Sequence, residues 1–135
     1  MVVKCNSMGL FGMDSFVVEV EADVSGGLPA FDIVGLPDTA VKESRDRVRA
    51  AIKNCGYKFP LGRITVNLAP ADRKKEGSVY DLPVLLAILK ASEQLKCDFG
   101  ESIIIGEVAL DGKVRSVNGV LAIAITARQN GIKSI

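Results

Sequence analysis

Apolar and polar residues alternate along the first 34 residues, and this period of two is typical of half-buried β-strands. Within residues 15–24 the even positions from Phe16 to Ala22 are apolar, whereas Glu19, Glu21 and Asp23 occupy odd positions. A β-prone run precedes this one, and the four residues between the two runs predict a hairpin. The strands predicted for this part of the chain are residues 2–10, 15–24 and 30–34.

The apolar spacing changes to a helical period after residue 37. Asp38 is predicted to cap a helix that continues to about Cys55 and stops at Gly56. Residues four or seven apart form an apolar stripe, so one face is expected in the core and the charged remainder in solvent. The stripe consists of Val41, Val48, Ile52 and Cys55.

A second strand-to-helix passage follows. Residues 62–68 alternate as a strand, and a helix is predicted from about Asp81 to Gln94, with Asp81 or Ser78 as its cap and leucines on its core side. The leucines are Leu82, Leu85, Leu86 and Leu89.

The last third of the chain predicts shorter elements. Strands are expected at residues 102–105, 107–110 and 113–117, with Asp111 and Gly112 as a type I′ turn. A helix over residues 120–129 and the start of a strand after Gly131 complete the pattern. The predicted order is β-β-β-α-β-α followed by β-β-β-α-β, which describes a single two-layer α/β (α+β) domain over residues 1–135.

Composition excludes several classes of function. The 135 residues are 48% hydrophobic and carry a net charge of +1, so any attraction to a polyanion has to come from a local patch. The chain contains no histidine, the commonest general base and transition-metal ligand, and no GxxxxGK[ST] loop for nucleotide phosphates. Three separated cysteines and the lack of an 18-residue apolar run predict a cytoplasmic protein without membrane contact.

One loop carries the candidate binding chemistry. Arg73, Lys74 and Lys75 lie between the fourth strand and the second helix. Because a helix N-terminus exposes amide donors, the loop is predicted to bring amides and three cations to one place, as a phosphate contact requires. Arg45 and Arg49, one turn apart on the first helix, are weaker candidates for the same role. The alternative is a solvated loop and a solvated helix face.

Four long motifs carry a family resemblance. They are GLPAFDIVGLPD at residues 27–38, VKESRDRV at 41–48, VNLAPAD at 66–72 and KEGSVYDLP at 75–83. These motifs resemble the N-terminal domain of the magnesium-chelatase-like proteins, the family that includes the competence protein ComM. The resemblance implies a Lon-protease-like domain of the ribosomal protein S5 domain 2 type. It also implies that the chain is a piece of a longer protein with an AAA+ ATPase module elsewhere.

The resemblance further indicates where a catalytic dyad would lie. Lon-type proteases use a serine nucleophile and a lysine base at the starts of two helices. Aligned with this sequence, the serine position falls on Val79 and the lysine position on Leu121. The chain is therefore predicted to be non-catalytic. Ser78 lies one residue from the nucleophile position, so residual Ser-Lys hydrolysis stays open as a minor alternative.

The leading hypothesis from the resemblance is a non-catalytic domain of an ATPase that remodels DNA, in recombination or branch migration during natural transformation. ATP and Mg²⁺ are expected to bind the ATPase module, and no metal ligands are predicted in this chain. The expected partners are that module, further copies in a homo-oligomeric ring, and DNA, without a membrane. An assembly or protein-docking domain without DNA contact is the main alternative, and a magnesium-chelatase subunit is a weaker one.

Overall fold

The computed structural model describes the backbone of residues 1–11 and 14–135 and the side chains outside residues 11–14. The turn of the predicted first hairpin therefore lies outside the described residues. The first six elements follow the predicted order of strands and helices. In chain order the elements are β1 (Val2–Phe11), β2 (Asp14–Ser25), β3 (Ala30–Val34), α1 (Asp38–Asn54), β4 (Arg63–Ala69), α2 (Asp81–Ala91), β5 (Glu107–Val108), β6 (Val114–Arg115) and α3 (Val120–Gln129).

Four strands form the main sheet, in the order β1-β2-β4-β3. The β1–β2 and β2–β4 pairs are antiparallel, and β3 is parallel to β4. Two parallel neighbours need a crossover connection, which α1 supplies. At the centre of the sheet Val20 lies between Cys5 and Leu68, so the register places three apolar residues on one face.

The apolar face of the sheet packs against α1 and α2. The predicted alternation in β2 is confirmed, because the even positions from Phe16 to Ala22 are buried and the odd positions are not.

The predicted apolar stripe was wrong for part of each helix. Cys55 is exposed, and three of the four predicted leucines are only half-buried, because α2 turns a different row of residues towards the sheet. The buried helix residues are Ser44, Val48, Ala51 and Ile52 on α1, and Asp81, Pro83, Val84, Ala87, Ile88, Leu89 and Ala91 on α2.

The second helix also ends three residues earlier than predicted. Its last residue is Ala91, and the chain then passes through Glu93, whose φ is +63°. A left-handed residue at this point ends the helix, and the amide of Gln94 turns back to bond the carbonyl of Leu89 at 2.9 Å.

On the opposite face of the sheet, α3 covers an apolar area at one end. Ile123 and Ala127 of α3 pack on Met8 near the β1–β2 turn. Farther along the sheet the same face is polar, with the Lys4 amine 3.8 Å from the carboxylates of both Glu19 and Glu21. In the described part of the chain, two helices lie on one side of the sheet and one short helix on part of the other. The predicted two-layer arrangement is therefore wrong where α3 adds a third layer.

The last third of the chain is less regular than predicted. Residues 102–105 make one parallel bridge, between Ile103 and Asn6. The segment after Gly131 joins them through one backbone bond, from the Ile103 amide to the Ser134 carbonyl at 2.9 Å, and through a hydrogen bond between the Ser102 and Ser134 hydroxyls. The β5–β6 turn is not type I′, because Gly112 is its only residue with positive φ and that turn type needs two. An apolar run alone does not predict a strand, because strand pairing also needs a partner edge in register.

None of the helices in residues 1–11 and 14–135 combines the length and the apolar character that crossing a bilayer demands.

Truncation of a buried leucine should cost more stability than truncation of a half-buried one on the same helix. We expect Leu89→Ala to lower the free energy of unfolding by about 2–5 kcal/mol, and Leu85→Ala to lower it by less, because Leu89 is 3% exposed and Leu85 is half-buried. Urea unfolding followed by circular dichroism measures both. Equal losses would show that α2 is rotated about its axis relative to this structure.

Candidate functional site

The loop between β4 and α2 does not present its three cations alike. The side chain of Lys75 is 2% exposed, and its amine donates to the backbone carbonyls of Pro70 and Arg73, the latter at 2.9 Å. Burial lowers the pKa of Lys75 from its ordinary value. The expectation that all three cations point to one external place is therefore wrong for Lys75, whose amine holds the loop closed.

Arg73 and Lys74 remain at the surface. The Arg73 guanidinium lies 4.3 Å from the centroid of the Phe16 ring, a cation–π contact that reaches from the loop to β2. The two residues flank an open groove of about 410 Å³, whose other wall is formed by residues 35–37 at the start of α1. The predicted cluster is thus reduced to two surface cations beside the first helix.

The amide donors expected at the start of α2 are already used. Pro83 has no N–H, and the other amides of the first turn bond to protein carbonyls, so an anion finds no free donor there. The predicted cap is also wrong, because Tyr80 occupies the cap position and no side chain caps α2. The bonds run from the Asp81 amide to the Ser78 carbonyl at 3.1 Å, from Leu82 to Gly106 at 3.0 Å and from Val84 to Tyr80 at 3.0 Å.

The start of α1, by contrast, lies beside the surface cations. Pro37 occupies its cap position without a side-chain hydrogen bond, so the predicted Asp38 cap is wrong and Asp38 is instead the first helical residue. An N-terminus of this kind carries partial positive charge. Asp72 lines the groove and Asp38 lies in the first turn of α1, so two carboxylates moderate the positive field there.

The Asp81 carboxylate has a different role from the one predicted. It is 1% exposed and accepts hydrogen bonds from Arg47 Nε at 2.6 Å, Arg47 Nη2 at 3.1 Å and Ser44 Oγ at 2.8 Å. The Val108 amide donates to the same carboxylate at 3.3 Å. The hydrogen bond to Asp81 raises the pKa of Arg47. Sequence reasoning missed this network, although Ser44 lies one turn before the buried Val48 and thus on the core face.

Tyr80 fixes the other end of the loop. Its side chain is 1% exposed and packs against β1 at Gly9, where any Cβ would collide with the phenol oxygen. Burial raises the pKa of Tyr80 to about 12, with a smaller contribution from Glu76. Residues 70–80 are therefore held at both ends, by Lys75 and by Tyr80.

The weaker candidates, Arg45 and Arg49, lie in a separate place. Arg45 Nη1 donates to the Phe31 carbonyl at 3.0 Å, and the Arg49 guanidinium lies 5.2 Å from the centroid of the Phe59 ring. Phe31 is near the start of β3, whereas Lys74 follows the end of the parallel strand β4. The two pairs of cations therefore stand towards opposite ends of these strands and form no common patch.

Arg49 also borders a groove that sequence reasoning missed. The cavity has a volume of about 330 Å³, and Lys53, Phe31 and Phe59 line it together with Arg49. The two ring centroids are 5.5 Å apart. The sequence pattern did not indicate this groove, because Phe31 and Phe59 are 28 positions apart. Only the fold brings the two rings together beside the basic residues of α1.

One of the two positions aligned with the Lon-type dyad, Val79, lines a small cavity. Val79 is half-buried, and it lines a cavity of about 280 Å³ together with Ser78, Glu107 and Asn118. Leu121 is 75% exposed and is not among the lining residues. No lysine is present among the described residues that line this cavity. The absence of catalysis stays a prediction.

The chain matches one family model and several known proteins. The family model for subunit ChlI of Mg-chelatase matches residues 20–135. The chain is 50% identical to the uncharacterized protein YifB of Escherichia coli over 92% of its length, and 43% identical to the competence protein ComM of Haemophilus influenzae over 92%. An uncharacterized protein of Mycobacterium tuberculosis is 46% identical over 93%. In each case the match covers 25% of the relative, so the chain spans about a quarter of their length.

Removal of the arginine that pairs with the buried carboxylate should be strongly destabilising. We expect Arg47→Ala to lower the free energy of unfolding by about 3–5 kcal/mol, because it leaves Asp81 buried without its charged partner. Glu43→Ala is the matched control: it removes the exposed carboxylate 3.9 Å from the same guanidinium and should cost less than about 1 kcal/mol. Urea unfolding of both variants compares the costs, and similar values would contradict the network.

The neighbouring lysines of the loop should differ in the same way. Lys75→Ala should lower the free energy of unfolding by about 1–3 kcal/mol, because the loop loses both hydrogen bonds of a buried amine. Lys74→Ala, at an exposed position, should change it by no more than about 0.5 kcal/mol. Thermal unfolding at matched pH measures both. A neutral Lys75→Ala would mean that the amine does not hold the loop.

Proposed function

The chain belongs to the Mg-chelatase subunit ChlI family, and from this premise we propose that it is a non-catalytic domain of a longer AAA+ ATPase that contacts DNA through the phosphate backbone. The relative named competence protein ComM supports natural transformation as the setting. The relatives' fourfold greater length leaves room for an ATPase module outside the matched stretch. ATP and Mg²⁺ would bind in that module.

The fold assignment within this proposal is the Lon-like, ribosomal protein S5 domain 2 type. The observed β-β-β-α-β-α order and the parallel β3–β4 pair joined by α1 support it. Valine at position 79 and leucine at position 121 support the loss of catalysis, because neither side chain can act as a nucleophile or a base.

One observation carries the proposed DNA contact. The surface cations Arg73 and Lys74 lie beside the uncapped N-terminus of α1, on a loop that Lys75 and Tyr80 hold in place. Cations and a helix N-terminus both attract phosphate, and a loop that is already ordered loses little entropy when it binds. Contacts of this kind carry no base specificity, so binding would be independent of sequence and dependent on salt.

A docking domain without DNA contact is the second candidate. The net charge of +1 gives no general attraction to DNA, and α3 exposes apolar side chains that phosphate does not bind. Both roles are compatible with a homo-oligomeric ring in the cytoplasm, which we propose for the full-length protein.

Removal of the two surface cations should weaken DNA binding and its salt dependence together. We expect Arg73→Ala/Lys74→Ala to reduce the slope of log K against log salt by about 0.9 for each phosphate that the variant no longer neutralises. Fluorescence anisotropy of a labelled DNA fork across a salt series, with the full-length protein, measures the slope. Lys75 is left unchanged because its removal would alter the loop itself.

The matched control is Lys96→Ala/Lys113→Ala, which removes the same charge from two other exposed positions. An equal fall in slope for this control would point to net charge and not to the loop. A third variant, Arg49→Ala/Lys53→Ala, tests the basic and aromatic groove. If the salt slope falls only in this variant, the DNA contact lies in that groove and not at the loop. If the parent does not bind even at low salt, the docking function replaces the DNA contact.

A further inference from the structure

The helix α3 is apolar around almost its whole circumference. Its sequence, VLAIAITARQ, has polar residues only at Thr126 and at its last two positions. Ile123 faces the sheet and is 1% exposed, whereas Leu121 and Ile125 point away from it and are 75% and 51% exposed. A helix that is apolar all round is normally buried on all sides. The described residues cover only one side of α3.

An apolar groove adjoins α3 at Val120, next in sequence to the exposed Leu121. It has a volume of about 500 Å³, and it runs from residues 102–106 past Val114 to Val120 and residues 134–135. Val114, Val120 and Ile135 are each about half exposed. We call the groove and the exposed residues around it the α3 patch. Its exposed residues are Val114, Val120, Leu121, Ile125 and Ile135.

The size of the α3 patch bears on what covers it. Five partly exposed aliphatic side chains present on the order of a few hundred Å² of apolar surface, the range of the largest patches on monomeric proteins. A stable complex between separate proteins needs about 800 Å² from each partner. A covalently attached module, however, has an effective concentration in the millimolar range and binds through a smaller surface. The size therefore favours an occupant on the same polypeptide.

We propose that the α3 patch is the docking surface for the rest of the longer polypeptide, with the ATPase module as the occupant. This inference rests on the proposed function, in which the chain is one domain of a protein about four times as long. Each relative has about three quarters of its residues outside the matched stretch, which is enough additional chain for a module that covers the patch. The occupant would present a complementary apolar face, because Arg115 is the only charged residue among the described residues that line the groove.

Thiol labelling of the full-length protein tests the docking directly. Cys55 and Cys97, the exposed native thiols, are first changed to serine, and single cysteines are then placed by Ile125→Cys or Leu61→Cys. Leu61 is 89% exposed and lies far from α3 in sequence, so it is the matched control. We expect maleimide to label position 125 at least tenfold more slowly than position 61. Equal rates would overturn the proposal, and so would protection at position 125 that fades on dilution, because a second copy would then be the occupant.

A charge-bearing variant provides the complementary readout. Leu121→Glu/Ile125→Glu should separate the thermal unfolding of the full-length protein into two transitions, because the variant disrupts the apolar interface while this domain stays folded. Leu28→Glu/Leu61→Glu, which alters two side chains that are 88% and 89% exposed, should leave the transition of the parent unchanged. Identical behaviour of the two variants would contradict docking on α3. ATP hydrolysis by the parent is measured in parallel, so that a missing ATPase overturns the proposed function and is not confused with failed docking.

Discussion

The buried Asp81 carboxylate is the contact on which the arrangement of the helices depends. A charge removed from water is costly unless it is fully paired, and here Arg47 and Ser44 from α1 and the Val108 amide from β5 pair with it. The carboxylate sits in the first turn of α2, so the network fixes where that helix begins. It thereby fixes one end of the loop that carries the surface cations.

The sequence predicted the first half of the fold well because its signals are local. Alternation in β2 and the glycine or proline residues at the element ends need only neighbouring positions, and the limits of β3 and α3 were correct. The partners of Asp81 are 27, 34 and 37 residues away, so an acidic residue before a helix resembled a cap. The burial of Lys75 could not be predicted either. A run of three cations has the same sequence whether all the side chains are in solvent or the loop closes over one of them.

The two surfaces with functional potential belong to different sides of the sheet. Arg73 and Lys74 lie beside α1, which packs on the continuous apolar face, and the α3 patch belongs to the helix on the opposite face. The proposed contacts with nucleic acid and with a neighbouring module therefore share no residue. The basic and aromatic groove under Arg49 is a third surface, at the other end of the parallel strands.

The aromatic partner of Arg73 has a consequence for the energetics of anion capture. Within the described part of the chain, the guanidinium rests on the neutral ring of Phe16 and forms no ion pair with a carboxylate. A surface arginine held by an acidic neighbour must exchange one anion for another, and the gain is the difference between two similar attractions. An arginine held by a ring has no ion pair to give up, and its direction is restricted. Phosphate would then displace only water from the guanidinium edge, while the ring continued to support the guanidinium from its face.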